Sequence, residues 1–308
     1  MSALKTIAIS VGDLNGVGFE IILKSHNQIK QHCNPLYCIN YTMAHQAASL
    51  LHTQIPNDFH MFKVSGEFTI EAGKISASSG RYSYDSFIAA VELAKSKSVD
   101  AIVTLPIHKE AWMLAGIKYV GHTDAMRDIL KSDAIMMLGC NKLYVALYTE
   151  HMPLREVAEH IQTDKLAAFL LQLYNTTEHE PIAVLGLNPH AGDHGVLGNE
   201  EHFIEAAIHY ANKKLGKEVF IGPIVPDIAF TPRFRQNFSM IAAMYHDQGL
   251  APLKALYFDE SINVSLGLPI IRTSVDHGTA FDIAYQHKAS QLSYLNAVNA
   301  AITFEGKE

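Results

Sequence analysis

Three histidines follow short apolar runs at matching positions in the sequence. His151 comes after the run LYVALYT, His190 after IAVLGL, and His246 after MIAAMY. Because open parallel sheets bind ligands outside the carboxyl ends of their strands, these imidazoles can converge on one divalent ion. Their wide separation along the chain excludes a local zinc finger, so only tertiary assembly would join them. Taken singly, each histidine is better interpreted as a hydrogen-bonded loop residue, and only their shared position after a strand makes a metal site an equal alternative.

Two carboxylates are candidates to orient these imidazole rings. Asp247 directly follows His246, and Asp227 lies earlier in the same part of the chain. A carboxylate that accepts a hydrogen bond from one ring nitrogen fixes the tautomer and leaves the other nitrogen for a metal. A turn residue or a helix cap is the alternative role for each carboxylate.

Cationic and amide side chains near expected strand ends suit a phosphate monoester. Lysine offers a point charge and arginine a bidentate fork. The alternative for each group taken alone is an ordinary surface residue. The candidates are the stretch Gly121-His122-Thr123-Asp124, Lys254, Asn263 and Arg272.

The composition of the 308-residue chain is that of a folded protein with a net negative charge. Hydrophobic residues make up 48% and charged residues 18%, and the formal charge of −7 argues against a broad nucleic-acid-binding surface. The cysteines Cys33, Cys38 and Cys140 form no CxxC pair. The N-terminal apolar run is too short for a signal peptide, and no segment reaches transmembrane length. We therefore expect a cytoplasmic protein without a membrane or nucleic-acid partner.

Short β-branched or apolar runs alternate with longer amphipathic stretches, which predicts an α/β protein with a largely parallel sheet. The predicted strands are residues 6–11, 36–40, 101–105, 143–149, 182–187, 240–245 and 270–273. The predicted helices are residues 20–25, 84–97, 154–159, 165–174, 200–215 and 282–287, with helix starts at Thr163-Asp164 and Asn199-Glu200. The length is sufficient for about two domains.

Two glycine-bearing turns are candidates for close backbone approach. The stretch GDLNGVGFE (residues 12–20) lacks both the GxGxxG spacing of a Rossmann turn and the Lys-Ser/Thr of a phosphate-binding P-loop. Its glycines can approach another chain segment or an anion. The second turn, DHGTAFDIA (residues 276–284), opens a predicted helix and could wrap an adenosine with backbone groups and His277. A solvated helix start is the alternative interpretation of that turn.

Taken together, these stretches resemble the 4-hydroxythreonine-4-phosphate dehydrogenase family of pyridoxal phosphate biosynthesis, along nearly the full chain. The resemblance depends on GDLNGVGFE, TLPIHKEA, GHTD, LNPHAGD, AMYHDQGLAPLK and TSVDHGTAFDIA in this order. It implies two α/β/α domains with a cleft between them, similar to isocitrate and isopropylmalate dehydrogenases, and a homodimer whose active site draws ligands from both subunits. We expect residues 1–124 with 270–308 to form the first domain, carrying the nucleotide loop. Residues 125–269 would form the second, carrying the metal-binding histidines.

The resemblance also implies roles for individual residues. His151, His190 and His246 match the metal ligands, and Asp227 and Asp247 match acidic residues that support the site. The substrate contacts would be His122, Thr123, Lys254, Asn263 and Arg272, and the adenosine loop would use His277, Gly278, Thr279, Ala280 and Asp282. The chain departs from the family pattern at Leu14 and Phe19, which replace prolines, and at Asp124, where glutamate is common.

The implied activity is an NAD- or NADP-linked oxidation and decarboxylation of 4-phosphohydroxy-L-threonine to 3-amino-2-oxopropyl phosphate. One divalent metal per site, Zn, Co or Mg, would act as a Lewis acid, and imidazole ligands favour zinc or cobalt. Asp247, Lys254 and a metal-bound hydroxide are alternative general bases. Other phosphorylated hydroxy acids, such as threonate or erythronate phosphates, are alternative substrates. A metal-dependent phosphatase or aldolase without nicotinamide, and a non-catalytic phosphate-binding protein, are the alternative functions.

Overall fold

The computed structural model describes residues 3–304 of the chain, which divide into two compact units. Unit 1 comprises Met1–Asp133 and Leu268–Glu308, and unit 2 comprises Ala134–Gly267. None of the helices in this described part is both long and apolar enough to cross a membrane.

Strands and helices alternate along both units, as in other α/β proteins. The strands are β1 (Thr6–Ser10), β2 (Asn34–Cys38), β3 (Met61–Phe62), β4 (Ala101–Thr104), β5 (Ile135–Cys140), β6 (Leu143–Leu147), β7 (Ile182–Leu185), β8 (Phe220–Ile224), β9 (Met240–Ala243), β10 (Ile262–Leu266) and β11 (Ile271–Val275). The helices are α1 (Gly18–Ile29), α2 (Tyr41–Leu50), α3 (Ala77–Lys95), α4 (Lys109–Leu114), α5 (His122–Leu130), α6 (Leu154–His160), α7 (Thr163–Thr177), α8 (Glu200–Leu215), α9 (Pro226–Ala229), α10 (Pro232–Arg235), α11 (His246–Tyr257) and α12 (Leu292–Thr303).

The strands of unit 1 pair in the order β3-β2-β1-β4-β11, and each of these pairings is parallel. Ser10 on β1 pairs with Thr104 on β4, which in turn pairs with Ser274 on β11, so these strands end at the same edge. All four residues of β4 are buried, although successive side chains point to opposite faces. The sheet is therefore covered on both faces, which is the usual arrangement of a parallel sheet.

Unit 2 contains a mixed sheet in the order β10-β5-β6-β9-β7-β8. Strand β5 runs antiparallel to both β10 and β6, whereas the pairings β6-β9, β9-β7 and β7-β8 are parallel. Aliphatic side chains of these strands, including Val145, Leu185 and Ile241, form one core with Leu253 of α11. The predicted α/β class is confirmed.

The predicted helix at residues 282–287 is wrong. The chain forms only a short 3-10 turn at Phe281–Ile283, and Tyr285 and His287 adopt left-handed backbone angles with φ of 61° and 59°. Long-range contacts explain the difference. The Tyr285 hydroxyl donates to the Leu14 carbonyl, and the amide of His287 donates to the Glu20 carboxylate. These tertiary bonds outweigh the local helical pattern.

Sequence reasoning also missed several elements. The strands β3, β5, β8 and β10 were not predicted, nor were the helices α2, α4, α5, α9, α10, α11 and α12. Strand β5 is an uninterrupted buried run (IMMLGC), whose periodicity does not distinguish a strand from a buried helix. The predicted start of α8 at Asn199-Glu200 agrees with the structure, whereas α3 begins seven residues before its predicted start at residue 84.

Candidate active site

The three candidate metal ligands lie after three adjacent strands of unit 2. His151 follows β6, His246 follows β9 and His190 follows β7, and the sheet order places β9 between the other two. These three strands are parallel to one another, so their carboxyl ends lie at the same edge of the sheet. This edge is where ligands bind in open α/β sheets.

Two buried polar side chains connect these strand ends. The hydroxyl of Thr149 donates to the Met244 carbonyl at 2.7 Å and connects the end of β6 to the end of β9. The side chain of Gln248 accepts from the Met244 amide and donates to the Gly186 carbonyl, each at 2.7 Å. Gln248 thereby connects β9 to β7. The backbone before each histidine is therefore fixed by interior hydrogen bonds.

The rings of His151 and His246 face each other with centroids 5.7 Å apart. Nδ1 of His246 lies 2.6 Å from a carboxylate oxygen of Asp247. In this arrangement Asp247 accepts a hydrogen bond from Nδ1–H, so Nε2 of the neutral His246 ring has a lone pair for a metal ion. The pair is accessible, since the His246 side chain is 38% exposed.

His190 lies in a short left-handed turn. Its φ is 54°, and Ala191, Gly192, Asp193 and His194 also have φ between 43° and 77°. A run of left-handed residues that are not glycine is costly and uncommon. The second predicted carboxylate, Asp227, is exposed on the short helix α9, which packs against this turn and against β7.

The two imidazoles suit a divalent ion of intermediate softness, although the described part of one chain does not complete a metal site. Two imidazoles, one of them oriented by a carboxylate, are typical ligands of zinc or cobalt. Within residues 3–304, no group of three His, Cys, Asp or Glu side chains is arranged to hold a metal ion. His151 and His246 come together within the chain as a pair.

In unit 1, Arg272 and His122 lie in contact. Arg272 is on β11 and is 2% exposed, and its Nε and one terminal nitrogen lie 3.2 Å and 2.9 Å from the Thr104 hydroxyl on β4. The same terminal nitrogen is 3.5 Å from Nδ1 of His122. Burial lowers the pKa of the Arg272 guanidinium to about 9, so it stays protonated at neutral pH. A buried fixed cation of this kind suits an anionic group of a ligand.

His122 is the first residue of α5 and packs against Phe87 and Trp112, with ring centroids 4.7 Å and 5.5 Å away. Burial, and then the neighbouring Arg272, hold the pKa of His122 well below its ordinary value of 6.5. Its Nε2 is buried and has no hydrogen-bond partner among residues 3–304. A neutral imidazole with one uncommitted nitrogen can bind a ligand polar group. The next residue, Thr123, is half-buried.

The two glycine-bearing turns of unit 1 pack against each other. The amide of Val17 donates to the Thr279 carbonyl at 3.0 Å, and a Cβ on Gly16 would lie 2.6 Å from that oxygen. Gly16 therefore permits close approach of another chain segment, which is one of the two roles predicted for these glycines. Asp13 in the same turn accepts hydrogen bonds from the Asn15 amide and from the Ser79 hydroxyl, and burial raises the pKa of its carboxyl.

The expected adenosine loop lies beside this contact. His277 has a buried Nε2 without a hydrogen-bond partner in the described chain, and its Nδ1 lies 2.9 Å from the Gly278 carbonyl. The ring of Phe281 stacks on His108, with centroids 4.9 Å apart. Three residues complete the predicted loop: buried Thr279, Ala280 with φ of 44°, and exposed Asp282. An uncommitted ring nitrogen beside an exposed glycine fits the predicted role in nucleotide binding.

The remaining predicted substrate contacts lie in unit 2. Lys254 is half-buried on α11, and its Nζ lies 6.0 Å from the ring centroid of Phe258. Asn263 is on β10, where it pairs with Leu138 of β5.

Sequence reasoning missed several residues that hold the site. Thr104, His108 and Gln248 lie inside or beside motifs used for the family resemblance, but no role was assigned to them. Glu201 was missed because its contacts lie across a loop. The available signal was a glutamate in the first turn of a predicted helix that follows the glycine-rich stretch.

Comparisons with known proteins give a consistent result. The family profile described as Pyridoxal phosphate biosynthetic protein PdxA matches residues 21–301. The 4-hydroxythreonine-4-phosphate dehydrogenase of Sulfurimonas denitrificans is 64% identical over 296 residues, which cover 96% of each chain. The crystal structure of a 4-hydroxythreonine-4-phosphate dehydrogenase from Burkholderia phymatum has a TM-score of 0.80 at 31% identity, covering 99% of this chain and 100% of that one. A β-decarboxylating dehydrogenase from Thermococcus kodakarensis, 14% identical with a TM-score of 0.51, shows a likeness of fold alone.

The neutral state of His122 predicts a measurable pH dependence of stability. Because its folded-state pKa is depressed, the unfolded chain binds this proton at a higher pH than the folded chain does. The contribution of His122 to stability is therefore complete above its ordinary pKa and is lost as the pH falls below it. Between about pH 6 and pH 5, the free energy of unfolding of the wild type should fall more steeply than that of His122→Gln, by at most about 1.4 kcal/mol for this one proton.

Urea titrations at a series of pH values would measure this difference. His202→Gln, at an exposed histidine on α8, should keep the wild-type slope. Parallel curves for the wild type and His122→Gln would show that His122 takes up its proton equally in the folded and unfolded states.

Proposed function

The chain belongs to the family described as Pyridoxal phosphate biosynthetic protein PdxA, and from this membership we propose that it is a 4-hydroxythreonine-4-phosphate dehydrogenase. It oxidises and decarboxylates 4-phosphohydroxy-L-threonine to 3-amino-2-oxopropyl phosphate. The observation that carries this proposal is the match, over nearly the whole length of both chains, to relatives of that name. The family resemblance predicted from the sequence is thereby confirmed.

Different side chains of the site orient a metal ligand, bind the substrate and supply candidate general bases. When bound, a divalent ion would supply a Lewis acid and NAD or NADP a hydride acceptor. Asp247 orients the imidazole of His246 by accepting a hydrogen bond from its Nδ1–H. Arg272 binds an anionic group of the substrate, and neutral His122 offers Nε2 to a polar one. Lys254 and Asp247 remain the candidates for the general base, with Lys254 and Asn263 as substrate contacts.

Two observations support a metal and nucleotide requirement. His151 and His246 present a pair of imidazoles at the edge where three strands end, which suits zinc or cobalt, and magnesium remains an alternative metal. His277, Gly278, Thr279, Ala280 and Asp282 form the loop that we assign to adenosine. The three cysteines are all unpaired, as expected for a protein of a reducing compartment such as the cytoplasm.

A substrate panel tests the proposed activity. The purified chain is assayed with 4-phosphohydroxy-L-threonine and with threonate and erythronate phosphates, in the presence of Zn²⁺, Co²⁺ or Mg²⁺ and either NAD or NADP. Reduced nicotinamide should appear, with release of carbon dioxide, and the rate should be highest with the threonine derivative. Release of inorganic phosphate without nicotinamide reduction would instead identify a phosphatase.

We also infer that the active site is shared between the two subunits of a homodimer. Within residues 3–304, His190 forms no metal-holding group of three side chains with His151 and His246, and it lies on an exposed turn. The next residues, Val196 and Leu197, are 75% and 45% exposed, as expected for an apolar surface that another copy covers. In this arrangement one subunit supplies His151 and His246, and the other supplies His190.

Complementation between inactive variants tests this arrangement. Each of His151→Ala, His190→Ala and His246→Ala should fold but lose activity and bound metal. Co-refolding His190→Ala with either of the others in equal amounts makes about half of the dimers mixed, each with one intact site of two, so about a quarter of the wild-type activity should return. The pair His151→Ala and His246→Ala should stay inactive, because both defects fall on the same side of every site. Recovery in that pair, or in none with mixed dimers confirmed by mass, would contradict the arrangement.

Removing the positive charge of Lys254 or Arg272 should weaken binding of the substrate phosphate. Lys254→Met and Arg272→Met remove a charge while keeping most of the apolar stem. Each should raise the KM for the phosphorylated substrate by roughly 10- to 100-fold, which corresponds to a charge-assisted hydrogen bond of about 1.5–3 kcal/mol. An analogue without the phosphate should respond far less. Lys213→Met, at an exposed lysine of α8, is the matched control. Equal losses for both substrates would show that the two cations do not bind the phosphate.

A further inference from the structure

A buried carboxylate holds the backbone that leads to His190. Glu201, in the first turn of α8, is 5% exposed. One of its oxygens accepts hydrogen bonds from the backbone amides of Leu187 at 2.9 Å and Asn188 at 2.8 Å. The other oxygen accepts one from the side-chain amide of Asn188 at 2.9 Å. Glu201 thereby fixes the point at which the chain leaves β7 and enters the turn.

The same carboxylate packs directly against the turn. A Cβ on Gly192, in the middle of the turn, would lie 2.6 Å from an oxygen of Glu201. A Cβ on Gly186 would lie 3.0 Å from the Cβ of Ala191 and 3.3 Å from the other Glu201 oxygen. The turn and the carboxylate therefore pack so closely that neither Gly186 nor Gly192 has room for a side chain.

The conformation of the turn explains why such support is needed. His190, Ala191, Asp193 and His194 are all left-handed without being glycine, at a cost of roughly 1–2 kcal/mol each. The backbone of the turn donates from Ala191 to the Asn188 carbonyl, and its carbonyls at Asp193 and Gly192 accept from Val196 and Leu197. A strained backbone of this kind persists only where several contacts from the surrounding structure hold it in place.

We propose that Glu201 is a positioning residue for metal binding, because it fixes the left-handed turn that presents the imidazole of His190. The inference rests on the proposed role of His190 as a metal ligand. Without the carboxylate, two backbone amides lose their acceptor and the turn relaxes toward ordinary backbone angles. The His190 ring then leaves the position from which it would bind the ion.

Titration with Co²⁺ alone tests the proposal without substrate or nicotinamide. The full-length chain is stripped of metal and titrated while the visible absorption of bound Co²⁺ is recorded. Glu201→Ala should bind Co²⁺ about 10- to 100-fold more weakly than the wild type, the usual effect of removing a group that orients a ligand. The spectrum of its bound Co²⁺ should move toward that of His190→Ala. Glu205→Ala, at an exposed glutamate one turn later on α8, should bind like the wild type.

A second variant covers the case in which Glu201→Ala does not fold. Glu201→Asp keeps the charge but withdraws the carboxylate by one methylene, so it cannot hold both backbone amides. It should fold and bind Co²⁺ several-fold more weakly. A folded Glu201→Ala, or in its absence Glu201→Asp, with wild-type affinity and spectrum would overturn the proposal. A wild type that binds no Co²⁺, or a His190→Ala variant that binds it normally, would instead refute the metal role of His190, and with it this inference.

Discussion

When a parallel strand leaves its sheet, the backbone groups at its carboxyl end lose their ladder partners and need others. In unit 2, three buried side chains supply them at three adjacent strand ends. Thr149 bonds across from β6 to β9, Gln248 joins β9 to β7, and Glu201 holds the backbone beyond β7. The places of the three histidines depend on this set of bonds, because each histidine lies within a few residues of one of them. The site is therefore an extension of the sheet rather than an independent loop structure.

The sequence predicted the parts of this site that follow from local pattern. Apolar runs that end in histidine indicated strand ends, and the structure places His151, His190 and His246 after β6, β7 and β9. Pattern could not predict that β9 lies between β6 and β7, because strand order is decided by packing of segments far apart in the chain. Nor could it predict the left-handed turn at His190, since most of the residues involved disfavour that conformation and a glutamate eleven residues later stabilises it.

Errors in the predicted elements have the same origin. The segment at residues 282–287 has a helical pattern, yet its backbone follows hydrogen bonds to Leu14 and Glu20, more than 260 residues away. Strand β5 was missed because a short apolar run does not reveal its secondary structure until its neighbours are known. Local propensity was sufficient where the chain forms regular layers, and insufficient where distant segments compete for the same backbone groups.

The division of the chain has a consequence for biosynthesis. Unit 2 is one continuous segment, whereas unit 1 is completed only by β11, which pairs with β4. On the ribosome, β4 is made about 170 residues before β11, so the edge of a strand that is fully buried in the folded protein stays unpaired while all of unit 2 is translated. Unprotected edges of this type recruit other strands. The nascent chain should therefore depend on chaperones during this interval, and Arg272 should be among the last functional residues to reach its place.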